Sequence, residues 1–223
     1  MSATTEPLTI DVVSDVVCPW CFIGKRRLEK ALALRPELPT QVRWNPYFLN
    51  PWIPREGISR DEYLRTKFGS VERYKQISER IVEAGKEEGI PFAFEKMTRQ
   101  PNTLDSQRLI RWARTEADPS RVKERLMQLY FLEGGDLSDP EVLVQAGVDC
   151  GMDGELVRRL LASDADVAEV TQAAQQATEA GISGVPCFIF GGLLAVSGAQ
   201  PAADLAAAID RGVAEREKRE AAA

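Results

Sequence analysis

The feature that most limits what this chain can become is the run Cys18-Pro19-Trp20-Cys21, set where one periodicity gives way to another. Before it, Leu8 to Val13 are apolar or β-branched except for Thr9 and Asp11, which suits a strand with one face more buried than the other. After it, Phe22, Leu28 and Leu32, with small residues between them, give a helical stripe to Leu34. Pro19 fits the first helical turn, where its missing N–H costs nothing and its φ is already helical. Cys18 is therefore expected at or near the N-cap. A helix start offers free N–H donors and partial positive charge, which favour a thiolate. Cys21, one turn on and less exposed, is placed to resolve a mixed disulfide on the first sulfur. The spacing predicts Cys18 as the exposed attacking thiol and Cys21 as the resolving one.

The remaining pattern extends this unit. Gln41 to Leu49 starts with strand-like alternation and meets Pro46, which favours a strand end or an edge. Reached through the helix, it reads as a parallel partner of the first strand. Residues 50–58 hold two prolines and a glycine, a composition shift taken as a domain boundary. From Ser59 to Ala180 the chain reads as helix. Ser59 with Glu62 has capping-box spacing and Gly69 ends that helix. Ser70 caps a longer one with Val71, Tyr74, Ile77, Ile81 and Ala84 on one face. Asn102 heads a helix through Trp112, Asp118-Pro119 and Asp139-Pro140 start two more, and Asp153 and Ser163 are further candidate caps. After Gly181 strands return: residues 185–190, a two-residue Gly191-Gly192 link, then 193–197 as a hairpin. A helix over 201–213 follows, with Leu205, Ile209 and Val213 in register, and the alanine-rich tail 214–223 is expected to fray. The predicted layout is βαβ, an all-α insertion, then ββα. It is an α/β class, with residues 1–50 and 177–223 as the two parts of one domain and 51–176 inserted between them.

Composition removes several functions. The 223 residues are 44% hydrophobic and 28% charged, the range of ordinary globular chains. Asp plus Glu number 34 against 28 Lys plus Arg, a net charge of -6 with no dense basic stretch, which argues against nucleic acid as a partner. The absence of histidine removes the Ser-His-Asp triad, the Cys-His pair and any His-ligated metal site. Met1 to Ile10 has no Lys or Arg and no apolar run of signal-peptide length. No segment approaches the roughly 18 apolar residues of a membrane helix, so no membrane partner and a cytoplasmic location are expected. Four cysteines are too few for a disulfide scaffold. A single C-x-x-C supplies two zinc ligands, and Cys150 and Cys187 have no knuckle spacing, so no metal is expected. Inert buried thiols are the other reading of the cysteines; for Cys150, beside Gly151 in a helical stretch, that reading is preferred.

Cys18-Pro19-Trp20-Cys21 with Phe22-Ile23-Gly24-Lys25-Arg26-Arg27, and Gly181-Ile182-Ser183-Gly184-Val185-Pro186 with Phe188-Ile189-Phe190, resemble the FrnE-like branch of the DsbA family of thiol–disulfide oxidoreductases. Pro101-Asn102-Thr103, Arg108-Leu109, Tyr130-Phe131 with Glu133-Gly134, and Val196-Ser197-Gly198-Ala199-Gln200 match further segments, so the likeness spans nearly the whole chain. It implies a thioredoxin fold interrupted by a helical domain, and a cis Pro186 facing the C-x-x-C. It also implies that Val185 offers its backbone to a substrate strand, and that Pro19 and Trp20 border the bound substrate. By itself Pro186 reads equally as an ordinary strand-start proline.

The departures from the family matter. Periplasmic members carry a histidine between the cysteines, where this chain has Pro19-Trp20. With Asp15 three residues before Cys18 and a net negative charge, a potential of about -200 to -270 mV is expected, that of a reductant or isomerase of disulfides. Gln107 stands where many relatives have histidine. Cys187, directly after Pro186, is either a third thiol near the active pair or an inward-facing strand residue. Asp15 reads equally as a turn former or a proton acceptor, Lys25, Arg26 and Arg27 as a solvated helix face. Trp44, Trp52 and Trp112 read as packing, whereas Trp20 is expected near the surface. The expected substrate is a disulfide-containing protein or small molecule, with no cofactor beyond the Cys18–Cys21 disulfide, glutathione as a possible co-substrate, and a monomer or homodimer as the working form. The alternative is a glutathione-dependent isomerase of an aromatic or polyketide-type molecule, similar to the 2-hydroxychromene-2-carboxylate isomerases. Those relatives carry serine in place of the first cysteine, and Cys18 argues against it. A third reading is a thioredoxin-like binding module with incidental cysteines.

Overall fold

The computed structural model describes residues 6–222; the first five residues of the Met1–Ile10 stretch and Ala223 of the tail lie outside it. Leu8, Ile10 and Val12 alternate along β1 (Leu8–Ser14) and are fully buried. The chain returns through α1 (Pro19–Ala33) to β2 (Thr40–Pro46), which pairs with β1 in parallel from Leu8 opposite Thr40 to Ser14 opposite Pro46. On its other side β1 pairs antiparallel with β5 (Cys187–Phe190), which turns into β6 (Leu194–Ser197). The sheet order is β2-β1-β5-β6, so the strand ending at Pro46 is an edge, as a residue without an N–H requires. A second helix, α9 (Ala202–Ala221), packs against α1 and lies over β1, β5 and β6. This is the expected α/β layout of βαβ and ββα units around one sheet, with a helical insertion between them.

Seven helices fill the middle of the chain: α2 (Arg60–Phe68), α3 (Val71–Glu87), α4 (Leu104–Glu116), α5 (Pro119–Gln128), α6 (Pro140–Asp149), α7 (Gly154–Leu161) and α8 (Val167–Glu179). Five start where short-range chemistry predicts. The side chains of Ser59, Ser70, Asp118, Asp139 and Asp153 each accept a backbone N–H two or three residues on. Gly69 ends α2 at φ 86°, where a side chain would be strained.

Elsewhere tertiary contacts override the local pattern. Ser163 does not cap a helix; its hydroxyl donates to Leu160 O and accepts from Ala165 N, and α8 starts only after Asp166. Asp166 sits at φ 58° because its carboxylate is drawn to Arg111 Nε (2.7 Å) and Trp112 Nε1 (2.8 Å) of α4. The helix expected from Asn102 to Trp112 runs instead over Leu104–Glu116; Asn102 remains its cap in effect, accepting from Leu104 N at 2.9 Å. Ile77 is 41% exposed, since the buried line of α3 is Tyr74, Ser78, Ile81 and Gly85. A two-residue ribbon pairs β3 (Ile58–Ser59) with β4 (Arg99–Gln100), and a π-helical turn covers Leu129–Glu133; neither has a periodic signal. The hairpin link is three residues, because Phe190 pairs with Leu194 and Leu193 N–H returns to Phe190 O at 3.0 Å. The tail does not fray through Ala221: α9 continues, and Arg216 Nη1 donates to Glu6 O at 2.5 Å. The expected boundary at 176/177 falls within the last turn of α8, which packs on β2 and α4.

One apolar core runs through sheet and helical block alike, joining Leu8, Phe22 and Phe188 to Leu109, Leu126 and Phe131. Phe22 of α1 lies against Phe131 of the π-turn at 6.1 Å. Burying a ring of that size contributes about 2–3 kcal/mol. This packing also corrects the expected solvated face on α1. Lys25 is buried, with Nζ 3.0 Å from the Glu124 carboxylate of α5 and also paired with Glu29. Arg27 donates to Glu88 at 2.7 Å and to Ala199 O at 2.6 Å.

Candidate active site

β1 ends at Ser14 and the chain turns through Asp15, whose carbonyl accepts the Cys18 N–H at 3.3 Å. Cys18 is the N-cap of α1 at φ -94°, ψ 113°, with Pro19 in the first turn. Its Sγ lies 3.6 Å from the carbonyl of Val185, which is joined to Pro186 by a cis peptide bond. Two cysteines and the Val185-Pro186 step, distant in sequence, thus meet at one end of the sheet.

Gly24 makes this approach possible. A Cβ there would sit 2.8 Å from Pro186 Cγ and 3.1 Å from Phe188 Cζ, so any larger residue would push α1 away from the strand.

Cys18 is not exposed as expected: only 4% of it is accessible, because the Val185 step closes over the helix start. The electrostatics still separate the two thiols. The hydrogen bond from the Cys21 thiol holds Cys18 below its ordinary value despite burial, helped by the Cys21 and Trp20 N–H groups. Burial pushes Cys21 well up, and the neighbouring Cys18 sulfur adds to it. Trp20 is 38% exposed and, with Gln76, Ile77, Arg80 and Ile81 of α3, lines an open cleft.

The other expected residues fall as follows. Cys187 is buried opposite Ser197 on β6; burial raises its thiol while the Ser197 hydroxyl opposes this. Trp44 and Trp112 are buried, but Trp52 is 47% exposed, lying flat on Tyr63 at 6.3 Å. Gln107 is buried and donates to Ser14 O at 3.0 Å. Among the described residues no group of three or more Cys, Asp or Glu side chains is arranged to hold a metal ion.

Sequence reasoning named Asp15 as a turn former or a proton acceptor but missed the two lysines around it. Behind it, Asp15 is fully buried: Oδ2 accepts from Leu49 N at 2.8 Å and Oδ1 has no partner. Burial pushes this carboxyl up against the Leu49 hydrogen bond and the charge of Lys123. Lys123 of α5 is also fully buried, and its Nζ has no hydrogen bond and lies 5.2 Å from the Trp44 ring. Burial lowers Lys123 to about 8, against the pull of Cys21 and Asp15. A signal existed, because Lys123 lies within the buried face Val122, Leu126 and Met127 of its helix, where a lysine has no place unless something answers it. Lys67 Nζ of α2 donates to Asn50 Oδ1, one residue after the Leu49–Asp15 bond, at 2.5 Å and stands 5.6 Å over the Tyr63 ring. Burial lowers Lys67, and the charges of Cys18 and Asp15 oppose that.

No helix among the described residues is long and apolar enough to cross a membrane. Residues 9–210 match the family model described as DSBA-like thioredoxin domain. The uncharacterized protein YwbO of Bacillus subtilis is 25% identical over 183 residues, 82% of this chain and 86% of that protein. The probable DsbA oxidoreductase of Streptomyces coelicolor superposes with a TM-score of 0.84 at 29% identity, covering 93% of this chain and 91% of that one. The cytosolic disulfide reductase DsbM of Pseudomonas aeruginosa shares the fold at a TM-score of 0.60 and 18% identity, over 96% of this chain and all (100%) of that one.

Proposed function

Because the chain belongs to the family of DSBA-like thioredoxin domains, we propose that it is a cytoplasmic thiol–disulfide oxidoreductase whose Cys18–Cys21 pair reduces or isomerises disulfides. The observation that carries this reading is the asymmetry of the two thiols at the start of α1: Cys18 is lowered and lies against the Val185 carbonyl, while Cys21, one turn deeper, is raised. The first is prepared to attack and the second to wait.

In the reducing direction the Cys18 thiolate attacks one sulfur of a substrate disulfide. A Cys18–sulfur bond forms, the substrate S–S bond breaks, and the released thiolate takes a proton from water. Cys21 then loses its proton and attacks Cys18 Sγ, forming the Cys18–Cys21 disulfide and expelling the second substrate thiolate. Two electrons pass from the dithiol to the substrate. Lys123 holds a positive charge near the Cys21 sulfur as it becomes anionic. The Val185 backbone and the Trp20 face border the incoming disulfide, and a thiol such as glutathione restores the dithiol. An isomerase mechanism that only activates bound glutathione has no use for a resolving thiol, so Cys21 favours the redox reading. Four cysteines in 223 residues are too few for a disulfide scaffold, which suits a reducing compartment.

Insulin reduction and a redox titration test this. Cys18→Ser is expected to lower disulfide reduction by at least about a thousandfold, and Cys21→Ser to accumulate mixed disulfides visible by mass. The potential is expected at about -200 to -270 mV. Faster alkylation of Cys21 than of Cys18 would reverse the roles, and a potential near about -120 mV would make the protein a dedicated oxidant.

A further inference from the structure

The segment after β2 is pinned to the active-site turn, because Leu49 N–H donates to Asp15 at 2.8 Å. That bond sets Asn50 beside the loop leading into Cys18. Asn50 is 6% exposed; its Oδ1 accepts from Lys67, and its Nδ2 has no hydrogen-bond partner. Lys67 is exposed on α2 and makes no ion pair with any carboxylate among the described residues, in a chain whose net charge is -6. A second cation, Arg60, is held between Tyr63 and Tyr74, 5.0 Å from each ring centre, and its partners are the neutral Gln100 and Tyr130. Trp52 stacks on Tyr63, the ring that also faces Lys67 and Arg60.

The unmet buried amide donor of Asn50 costs free energy, the unpaired Lys67 ammonium bonded to the same side chain attracts negative charge, and a single anionic group with two acceptor oxygens answers both. The negative groups already in range are Cys18 and Asp15, one a reacting sulfur and the other buried behind it. We propose that Lys67 and Asn50, in the field of Arg60, form a carboxylate-binding subsite beside Cys18, and that the protein prefers small disulfides bearing a carboxylate near the sulfur. This rests on Cys18 being the attacking thiol. A carboxylate seated there holds the adjacent sulfur against Cys18 before any bond changes.

The test uses prereduced protein in single turnovers with three disulfides of similar skeleton: 3,3′-dithiodipropionate, bis(2-hydroxyethyl) disulfide and cystamine. Each rate is divided by that of a free thiol with the same disulfide, which removes intrinsic reactivity. The expected order is anionic, neutral, cationic, with about a tenfold or larger preference for the first over the second, the scale of a charge-assisted hydrogen bond. Lys67→Met is expected to lower the anionic-to-neutral ratio about tenfold, and Lys67→Arg to restore most of it. The ratio cancels any effect of Lys67 on the Cys18 thiolate, and Asn50→Ala should lower it independently. A ratio equal to that of the free thiol, or one unmoved in Lys67→Met, overturns the subsite while leaving the oxidoreductase reading intact. Failure of the prereduced protein to reduce any of the three disulfides overturns that reading and the subsite with it. A peptide disulfide with acidic neighbours that reacted faster than dithiodipropionate would overturn the assignment to small disulfides.

Discussion

Two cations are completely buried in the helical block, and they are buried in opposite ways. Arg108 of α4 donates to Asp105 at 2.6 Å and to the carbonyls of Ala165, Leu160 and Ser163 at 2.7 Å each, with its guanidinium 4.9 Å from the Trp112 ring. It ties the α7–α8 turn to α4, although Asp105 is also held by Arg55 and Leu160 O also accepts from Ser163. Lys123 of α5 has the Trp44 face and nothing else within hydrogen-bond reach, yet it lies in the field of Asp15, Cys18 and Cys21. A planar fork with five donors can be built into a structural tie, whereas a buried ammonium left unpaired is a stability cost. Arg108 is a structural tie, whereas Lys123 is a lone charge in the field of the dithiol.

The comparison can be broken most forcefully at Arg108. Arg108→Met is expected to cost about 3–5 kcal/mol in chemical denaturation, since it takes the Arg108 donors from the Ala165 and Ser163 carbonyls and removes the buried tie between α4 and the α7–α8 turn. A loss below about 1 kcal/mol would mean the tie contributes no more than an exposed ion pair.

Lys123→Met should act with the opposite sign, stabilising the fold by about 1–4 kcal/mol at pH 7. The pH dependence follows from linkage. Lys123 titrates near about 8 when folded and near the ordinary value of 10.5 when unfolded, so between these values the unfolded chain binds more protons. The native protein therefore gains stability as pH rises through that window, and the advantage of Lys123→Met narrows across it. The same variant should slow mixed-disulfide resolution, measured by quenched mass spectrometry, because Cys21 loses its nearest unpaired cation. A variant both less stable and unchanged in resolution would show Lys123 to be a second structural tie.

The smallest effect sharpens the assignment of the partner. In an Asp15→Asn background, Lys123→Met is expected to stabilise by about 1 kcal/mol more than in the native chain, because the lysine has then lost its carboxylate. Strict additivity in that cycle would place the two groups out of contact.

Little of this asymmetry was legible in advance. Lys123 sits among Val122, Leu126 and Met127, a placement that marks it as unusual without saying what it faces. Asp15 read equally as a turn former, and its carboxylate is committed to Leu49 only because the end of β2 returns to that point. Lys25 read as solvated because its own neighbours are charged, and Glu124 of a distant helix covers it. The burial of Cys18 was misjudged for the same reason: it depends on what another part of the chain brings to it.

What the sequence determined by itself was whatever closes within a few residues. The proline after Cys18 places it at a helix start, and the Asp-Pro pairs and the Ser59–Glu62 spacing start helices through bonds two or three residues long. The alternation of Leu8, Ile10 and Val12 makes a strand whose buried face needs a sheet. Tertiary structure alone decided which lysine is buried, which thiol is covered, and that Leu49 is bonded to Asp15 and Lys67 to Asn50. Those are differences in solvation, and the free energy of a charge depends on every group that displaces water around it, most of which lie far along the chain.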